Sequence, residues 1–111
     1  MPVGKPVVLS NGRTWLTQKA AEAHFRDIRD RNLLSGPIAD PADIDDLLAL
    51  VEGYDKGWTG EKKGARPIKH FTSAHNGADG RSTDSFFIHY EHGPDDDLSF
   101  IKAVRWISKA T

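Results

Sequence analysis

The sequence predicts an α+β fold, a small antiparallel sheet of three to five strands packed against two or three helices. Phe86, Ile88 and Tyr90 lie two apart, the period of a strand with one buried face. Gly93, Pro94 and Asp95 to Asp97 then turn the chain, and Leu98, Phe100, Val104 and Ile107 return apolar side chains to the same core. Two upstream segments, beginning near Gln18 and Asp40, instead repeat apolar residues every three or four positions, the period of an amphipathic helix. The 111 residues, 38% of them apolar, suit one domain spanning 1–111 that buries roughly two-thirds of the surface its unfolded chain exposes.

The elements follow in order. Pro6 to Leu9, Asn11-Gly12 and Arg13 to Trp15 have the form of a short hairpin at 6–15, because Asn-Gly supplies the positive φ values of a two-residue turn. Thr17 sits where a helix N-cap belongs, with Leu16 and Ala21 placed as a hydrophobic staple. From Gln18 to about Arg31, Ala21, Phe25 and Ile28 form the inner stripe, while Lys19, Arg26 and Arg29 face outward. Glu22–Arg26 and Asp27–Arg31 are spaced as i,i+4 ion pairs. Ser35-Gly36-Pro37 interrupts the chain, and Asp40-Pro41 opens a second helix with a preferred cap and a preferred first residue. Ile44, Leu47, Leu48 and Val51 make its buried stripe, its carboxylates serve as caps and a solvated face, and Gly53 ends it near Tyr54.

Residues 55–67, DKGWTGEKKGARP, show no periodicity and read as a long loop. Ile68 to His75 then alternates as a strand, with Ile68, His70, Thr72 and Ala74 on one face and Lys69, Phe71, Ser73 and His75 on the other. The turn-rich connection from Asn76-Gly77 to Asp79-Gly80 leads into the Ser85–Tyr90 strand as an antiparallel hairpin. Leu98 to Phe100 reads as a further strand, and about Ile101 to Lys109 as a helix with Lys102, Arg105 and Lys109 outward.

Composition bounds the chemistry. Without cysteine there are no disulfides, thiolate metal sites or cysteine nucleophiles, in keeping with a reducing compartment. The N-terminal apolar run is too short for a signal peptide and no stretch is long enough to span a membrane, so the expectation is a soluble, cytoplasmic protein with no membrane partner. The net charge is −1, but it is segregated: residues 40–55 hold six acidic and no basic residues, and residues 56–70 hold five basic and one acidic. The chain is therefore not a highly basic polyanion binder, yet it presents a local positive patch.

That patch supplies the candidate binding residues. Lys62, Lys63, Arg66 and Lys69 cluster on glycine-rich, adaptable backbone, as phosphate contacts require, and Trp58 is placed to stack a base. The phosphate-loop patterns GxxxxGK[ST] and GxGxxG are absent. No zinc-ligand spacing, HExxH or GxSxG motif is present, so no catalytic residue, metal site or cofactor is assigned. Aromatics on an open sheet face, drawn from Phe86, Phe87 and Tyr90, would offer a second stacking surface, although core packing is the preferred reading for Phe86, Ile88 and Tyr90.

The segment from Thr83 to Val104 resembles the C-terminal signature of the DCL family, named for defective chloroplasts and leaves, whose bacterial and phage members are a domain of unknown function. Phe86-Phe87-Ile88 is similar to its strand, Gly93 to its turn glycine, Asp97 to its acidic residue, Leu98-Ser99-Phe100 to its F-S-Y element and Lys102 to its lysine. Upstream, His24-Phe25 to Leu34, Asp43 to Val51 and Glu61 to Gly64 resemble its first helix, its D-x-x-x-L-x-x-L-L helix and its K-x-G loop. Ser85 and Ala103 stand where the family has cysteines, Tyr90 where it has an arginine and His92 where it has an aspartate. The resemblance implies a non-enzymatic module associated with structured RNA or a ribonucleoprotein, as in ribosomal RNA maturation. The alternatives are a protein-interaction module using the acidic helix 41–53 and a sheet edge, and a metal-dependent hydrolase or nuclease built on His75, His89 and neighbouring carboxylates.

Overall fold

The structure is a computed structural model that describes residues 6–57, 62–76 and 83–110. Two small antiparallel sheets and three helices make an α+β fold: β1 (Val7–Val8), β2 (Thr14–Trp15), α1 (Gln18–Arg31), α2 (Pro41–Gly57), β3 (Ile68–Asn76), β4 (Thr83–Tyr90), β5 (Asp96–Leu98) and α3 (Phe100–Ala110). β1 pairs with β2, and the larger sheet has the order β3-β4-β5.

The β1–β2 turn holds one residue more than Asn-Gly alone would require. The Leu9 N–H donates to Arg13 O at 2.9 Å and the Gly12 N–H to Leu9 O at 3.0 Å, leaving Ser10 to Gly12 as a three-residue loop with Gly12 at φ 90°. Thr17 caps α1 through Oγ1, which accepts from the Ala20 N–H at 3.1 Å, an interaction typically worth about 1 kcal/mol. The expected staple does not form: Leu16 is 78% exposed.

Helix α2 runs through Gly53 to Gly57. Gly53 serves helix packing, since a Cβ there would lie 2.5 Å from Cδ1 and 2.6 Å from Cγ1 of Ile107 on α3. The buried stripe of α2 is Leu47, Leu50, Val51 and Tyr54, whereas Leu48 is exposed and Ile44 half-buried. The acidic face is a correction of larger consequence. Asp43 and Asp46 are buried, and they tie neighbouring elements to α2. Arg31 reaches Asp43 at 3.1 Å while also bonding Asp27, a pairing that raises its pKa further above the usual arginine value, through Asp43 first.

Phe71 of β3, Phe86 and Ile88 of β4 and Leu98 of β5 face the helices and are almost fully buried, each such side chain contributing about 1.5–3 kcal/mol. The opposite face carries His70, Thr72, Phe87 and His89, all half-exposed. A register shift between Ile68 and His70 turns Ile68 to the core side opposite Tyr90, away from the face the simple alternation predicts. Phe100 opens α3 and packs edge-on to Phe86 at 6.0 Å, so β5 ends at Leu98. The outer edge of β3 is covered by residues 33–38, with the Leu34 N–H donating to Ser73 O and the Ile38 N–H to Phe71 O.

Candidate nucleic-acid interface

The basic loop is fastened to the body of the protein by its own cations. Asp55 at the end of α2 accepts from the backbone N–H groups of Lys63 and Gly64, both at 2.8 Å. Lys62 donates to the Asp55 carbonyl. The Lys63 ammonium bonds Asp96 Oδ2 at 3.0 Å and Asp97 O at 2.8 Å, and only 14% of that side chain is exposed. Tyr90 donates its hydroxyl proton to Lys63 O at 2.7 Å. Burial raises the Tyr90 pKa, with Asp96 adding to the effect and Arg66 opposing it.

Arg66 lies 3.9 Å above the Tyr90 ring and donates to the carbonyls of His92 and Pro94 at 3.2 and 3.4 Å, closing the loop onto the β4–β5 turn. Gly93, at φ 92°, has no room for a Cβ beside the Arg66 guanidinium. Of the four loop cations, then, Lys62, Lys63 and Arg66 fasten the loop, Lys62 from an exposed position, and Lys69 is exposed. Trp58 lies outside the described residues.

A second cationic surface stands beside the loop. Helix α3 reads FIKAVRWISKA, with no acidic residue. Phe100, Ala103, Val104 and Ile107 take its inner face, which leaves Lys102, Arg105 and Lys109 exposed and Trp106 half-buried along one outer stripe. A shallow groove of about 570 Å³ runs along this stripe, bordered also by Gln18 of α1. Trp106 stacks on buried Tyr54 at 5.3 Å with a 7° interplanar angle, and Lys102 Nζ lies 5.5 Å from the indole centroid. The Lys63 ammonium is 5.3 Å from the same Tyr54 ring. Tyr54 therefore contacts both basic segments, which lie some forty residues apart in the chain. At the start of α3, Arg26 and Arg29 place guanidinium groups 6.0 and 5.6 Å from the Phe100 ring.

The outer face of the larger sheet carries a hydrogen-bonded row. His89 Nδ1 is 3.0 Å from Asp95 Oδ2, and His89 Nε2 is 2.7 Å from Thr72 Oγ1. A carboxylate only accepts, so Nδ1 carries a proton and Nε2 of the neutral ring accepts the threonine hydroxyl. His70 stacks on His89 at 4.5 Å. The strand positions of His70 and His89 are legible in the sequence, but the alignment of Thr72 and Asp95 with His89 depends on register and turn shape. The side chain of His75 lies outside the described residues. Among the described residues, no group of three or more histidine, aspartate or glutamate side chains is arranged to hold a metal ion.

The acidic helix offers less open surface than its sequence suggests. Ser10 donates to Glu52 at 3.0 Å, Asn11 to Asp45 at 2.8 Å, and Arg13 and His24 contact Asp46 at 3.0 and 2.8 Å, so α2 anchors the N-terminal hairpin. Burial acts to raise the Asp46 pKa, but the combined hydrogen bonds from Arg13, His24 and Asn11 outweigh it and hold the carboxyl below the ordinary aspartate range.

No protein-family model, curated protein or solved structure matches this chain. Among the described residues no helix is long and apolar enough to cross a membrane.

Proposed function

We propose that this protein is a small, non-enzymatic, DCL-like module that binds structured RNA, alone or within a ribonucleoprotein, through backbone phosphates. The carrying observation is the outer stripe of α3, where Lys102, Arg105 and Lys109 flank Trp106 on a helix without a carboxylate. Clustered Lys/Arg beside an aromatic is the combination that tracks a nucleic-acid backbone. The exposed cations Lys62 and Lys69 extend the same reading from the loop side, whereas Lys63 and Arg66 act in it by fixing the loop.

The test is the triple charge reversal Lys102→Glu, Arg105→Glu, Lys109→Glu, assayed by fluorescence anisotropy against a structured RNA at two salt concentrations. Affinity should fall on the order of 100-fold or more, because each cation lost removes one phosphate contact and adds a repulsion. All three sites are exposed, so the melting temperature should stay within a few degrees. Unchanged affinity sinks the proposal.

A second reading, hydrolysis on the outer sheet face, draws support from the Thr72–His89–Asp95 row, the order of nucleophile, base and orienting carboxylate. It predicts turnover of an activated ester that is abolished equally by Thr72→Val and His89→Ala. Activity surviving Thr72→Val would remove it.

A further inference from the structure

We infer that Asn11 is a deamidation site which the fold holds shut: the β1–β2 hairpin is protected while docked on α2, and once open it acquires a carboxylate at position 11 that prevents it from docking as before. The site is independent of how α3 is used.

Asn11 is followed by Gly12, and with no side chain on the next residue nothing shields the Asn11 amide from the neighbouring backbone nitrogen. Gly12 is also hard to replace. It sits at φ 90°, where a residue with a β-carbon is strained, so the turn itself keeps the reactive pair in the sequence. In the docked hairpin both partners of the reaction are occupied. Asn11 Nδ2 donates to Asp45 Oδ2 at 2.8 Å and to Asp46 Oδ1 at 3.0 Å, while Asn11 Oδ1 accepts from the Arg13 N–H at 3.1 Å. The nucleophile, the Gly12 nitrogen, donates its proton to Leu9 O at 3.0 Å. Attack requires the side chain to swing off α2 and the Gly12 N–H to leave Leu9, which together amount to opening the hairpin.

In the open hairpin the Gly12 nitrogen gives up its proton and bonds Asn11 Cγ. The Cγ–Nδ2 bond breaks, and Nδ2 leaves with that proton as ammonia. Water then opens the resulting succinimide ring at either carbonyl, giving aspartate or isoaspartate, so one water is consumed for each ammonia released. Both products lose the two donor bonds to α2 and set a new carboxylate against Asp45 and Asp46. Arg13, the cation at this junction, already bonds Asp46 through Nε at 3.2 Å and Nη2 at 3.0 Å, and His24 bonds the same carboxylate. A further negative charge therefore finds no uncommitted cation among these contacts, and buried Asp46 is a costly neighbour for it. Isoaspartate also lengthens the backbone inside a turn that closes with the Leu9 N–H on Arg13 O, which spoils the β1–β2 register.

The experiment incubates the full chain at neutral pH, folded and unfolded in guanidinium chloride, and follows the peptide ending at Arg13 by mass spectrometry, with isoaspartate resolved by chromatography. Peptide mapping keeps it apart from Asn76-Gly77, the second Asn-Gly of the sequence. Folded wild type should deamidate at Asn11 roughly tenfold or more slowly than the unfolded chain, since reaction waits on local opening. Asp45 is exposed, so Asp45→Ala keeps the fold, and it should speed the folded reaction a few-fold to about tenfold, the worth of one hydrogen bond. The consequence is read separately by amide exchange in Asn11→Asp and Asn11→Ala. Both lose the bonds to α2, but only the first adds the charge, so residues 7–15 should exchange fastest in Asn11→Asp. The inference is overturned if folded wild type reacts as fast as the unfolded chain, or if Asp45→Ala leaves the folded rate unchanged. Exchange in Asn11→Asp no faster than in Asn11→Ala overturns it equally.

Discussion

Gly53 shows how one residue sets the distance between two helices. A β-carbon there would overlap two atoms of Ile107, which is buried and has little freedom to turn aside. Gly53→Ala gains up to about 1 kcal/mol of helix propensity but overpacks the α2–α3 contact, a change that typically costs about 1–3 kcal/mol. The net expectation is destabilisation, relieved in the Ile107→Ala background, where both Cδ1 and Cγ1 are gone; a double-mutant cycle by urea denaturation reads the coupling directly. His70 argues a second prediction at this scale. Burial pushes its imidazole below the ordinary histidine range, with His89 and Lys69 adding to the effect and Asp95 opposing it. The unfolded chain therefore binds this proton more readily than the folded one, so its contribution is intact above about pH 6.5 and is lost as the pH falls through the unfolded and then the folded value. Between pH 7.5 and 5 the melting temperature of wild type should fall further than that of His70→Phe, which keeps a ring for the stack but cannot titrate. Equal falls would show that His70 does not contribute.

At the scale of elements, the β1–β2 hairpin is too short to stand alone and is held by α2. Its two pairs of residues, Val7 with Trp15 and Val8 with Thr14, make a marginal ribbon. Arg13 and Asn11 bring it to Asp46, and His24 brings α1 to the same carboxylate. Asp46→Ala should destabilise the protein by roughly 1–3 kcal/mol, the usual cost of removing a buried hydrogen-bond partner, and amide exchange should quicken in 7–15 before the sheet is affected. Protection unchanged in that hairpin would show that apolar packing alone secures it. The same element shows which features were legible in the sequence. Thr17, Asp40-Pro41 and the strand period of Phe86 to Tyr90 are local signals, and the structure keeps them. Gly53 reads as a helix end, yet α2 continues to Gly57, because Gly53 answers to Ile107, a residue more than fifty positions away. Phe100 reads as a strand residue because an apolar side chain after Leu98 fits either period, and its contact with Phe86 goes with its place at the start of α3. The acidic run looked solvated because nothing adjacent in sequence announces that Arg13, His24 and Arg31 converge on it.

Over the whole molecule, folding redistributes charge that the sequence presents as blocks. The net charge of −1 includes carboxylates at Asp43 and Asp46 that are buried, and at Asp55 and Asp96 that bond the basic loop. Charge density along the chain therefore singled out the loop cations. Bonds to Asp55, Asp96, Asp97 and the β4–β5 turn give three of the four structural work, whereas α3 has fewer charges but no acids. The two clusters should respond oppositely to the same change. Lys63→Glu places a carboxylate against Asp96 and removes the link to Asp97, so thermal melting should drop by several degrees, with any RNA-binding loss following the loss of fold. Arg105→Glu on α3 should leave melting unchanged and weaken RNA binding in the folded protein. Salt separates the two variants further. Each phosphate contact contributes about −0.7 to −0.9 to the slope of log affinity against log salt concentration, so three α3 cations account for about −2 to −3, and Arg105→Glu should flatten the slope by about one contact. A flattened slope in Lys63→Glu at temperatures where it remains folded, with an unchanged slope in Arg105→Glu, would return the binding surface to the loop.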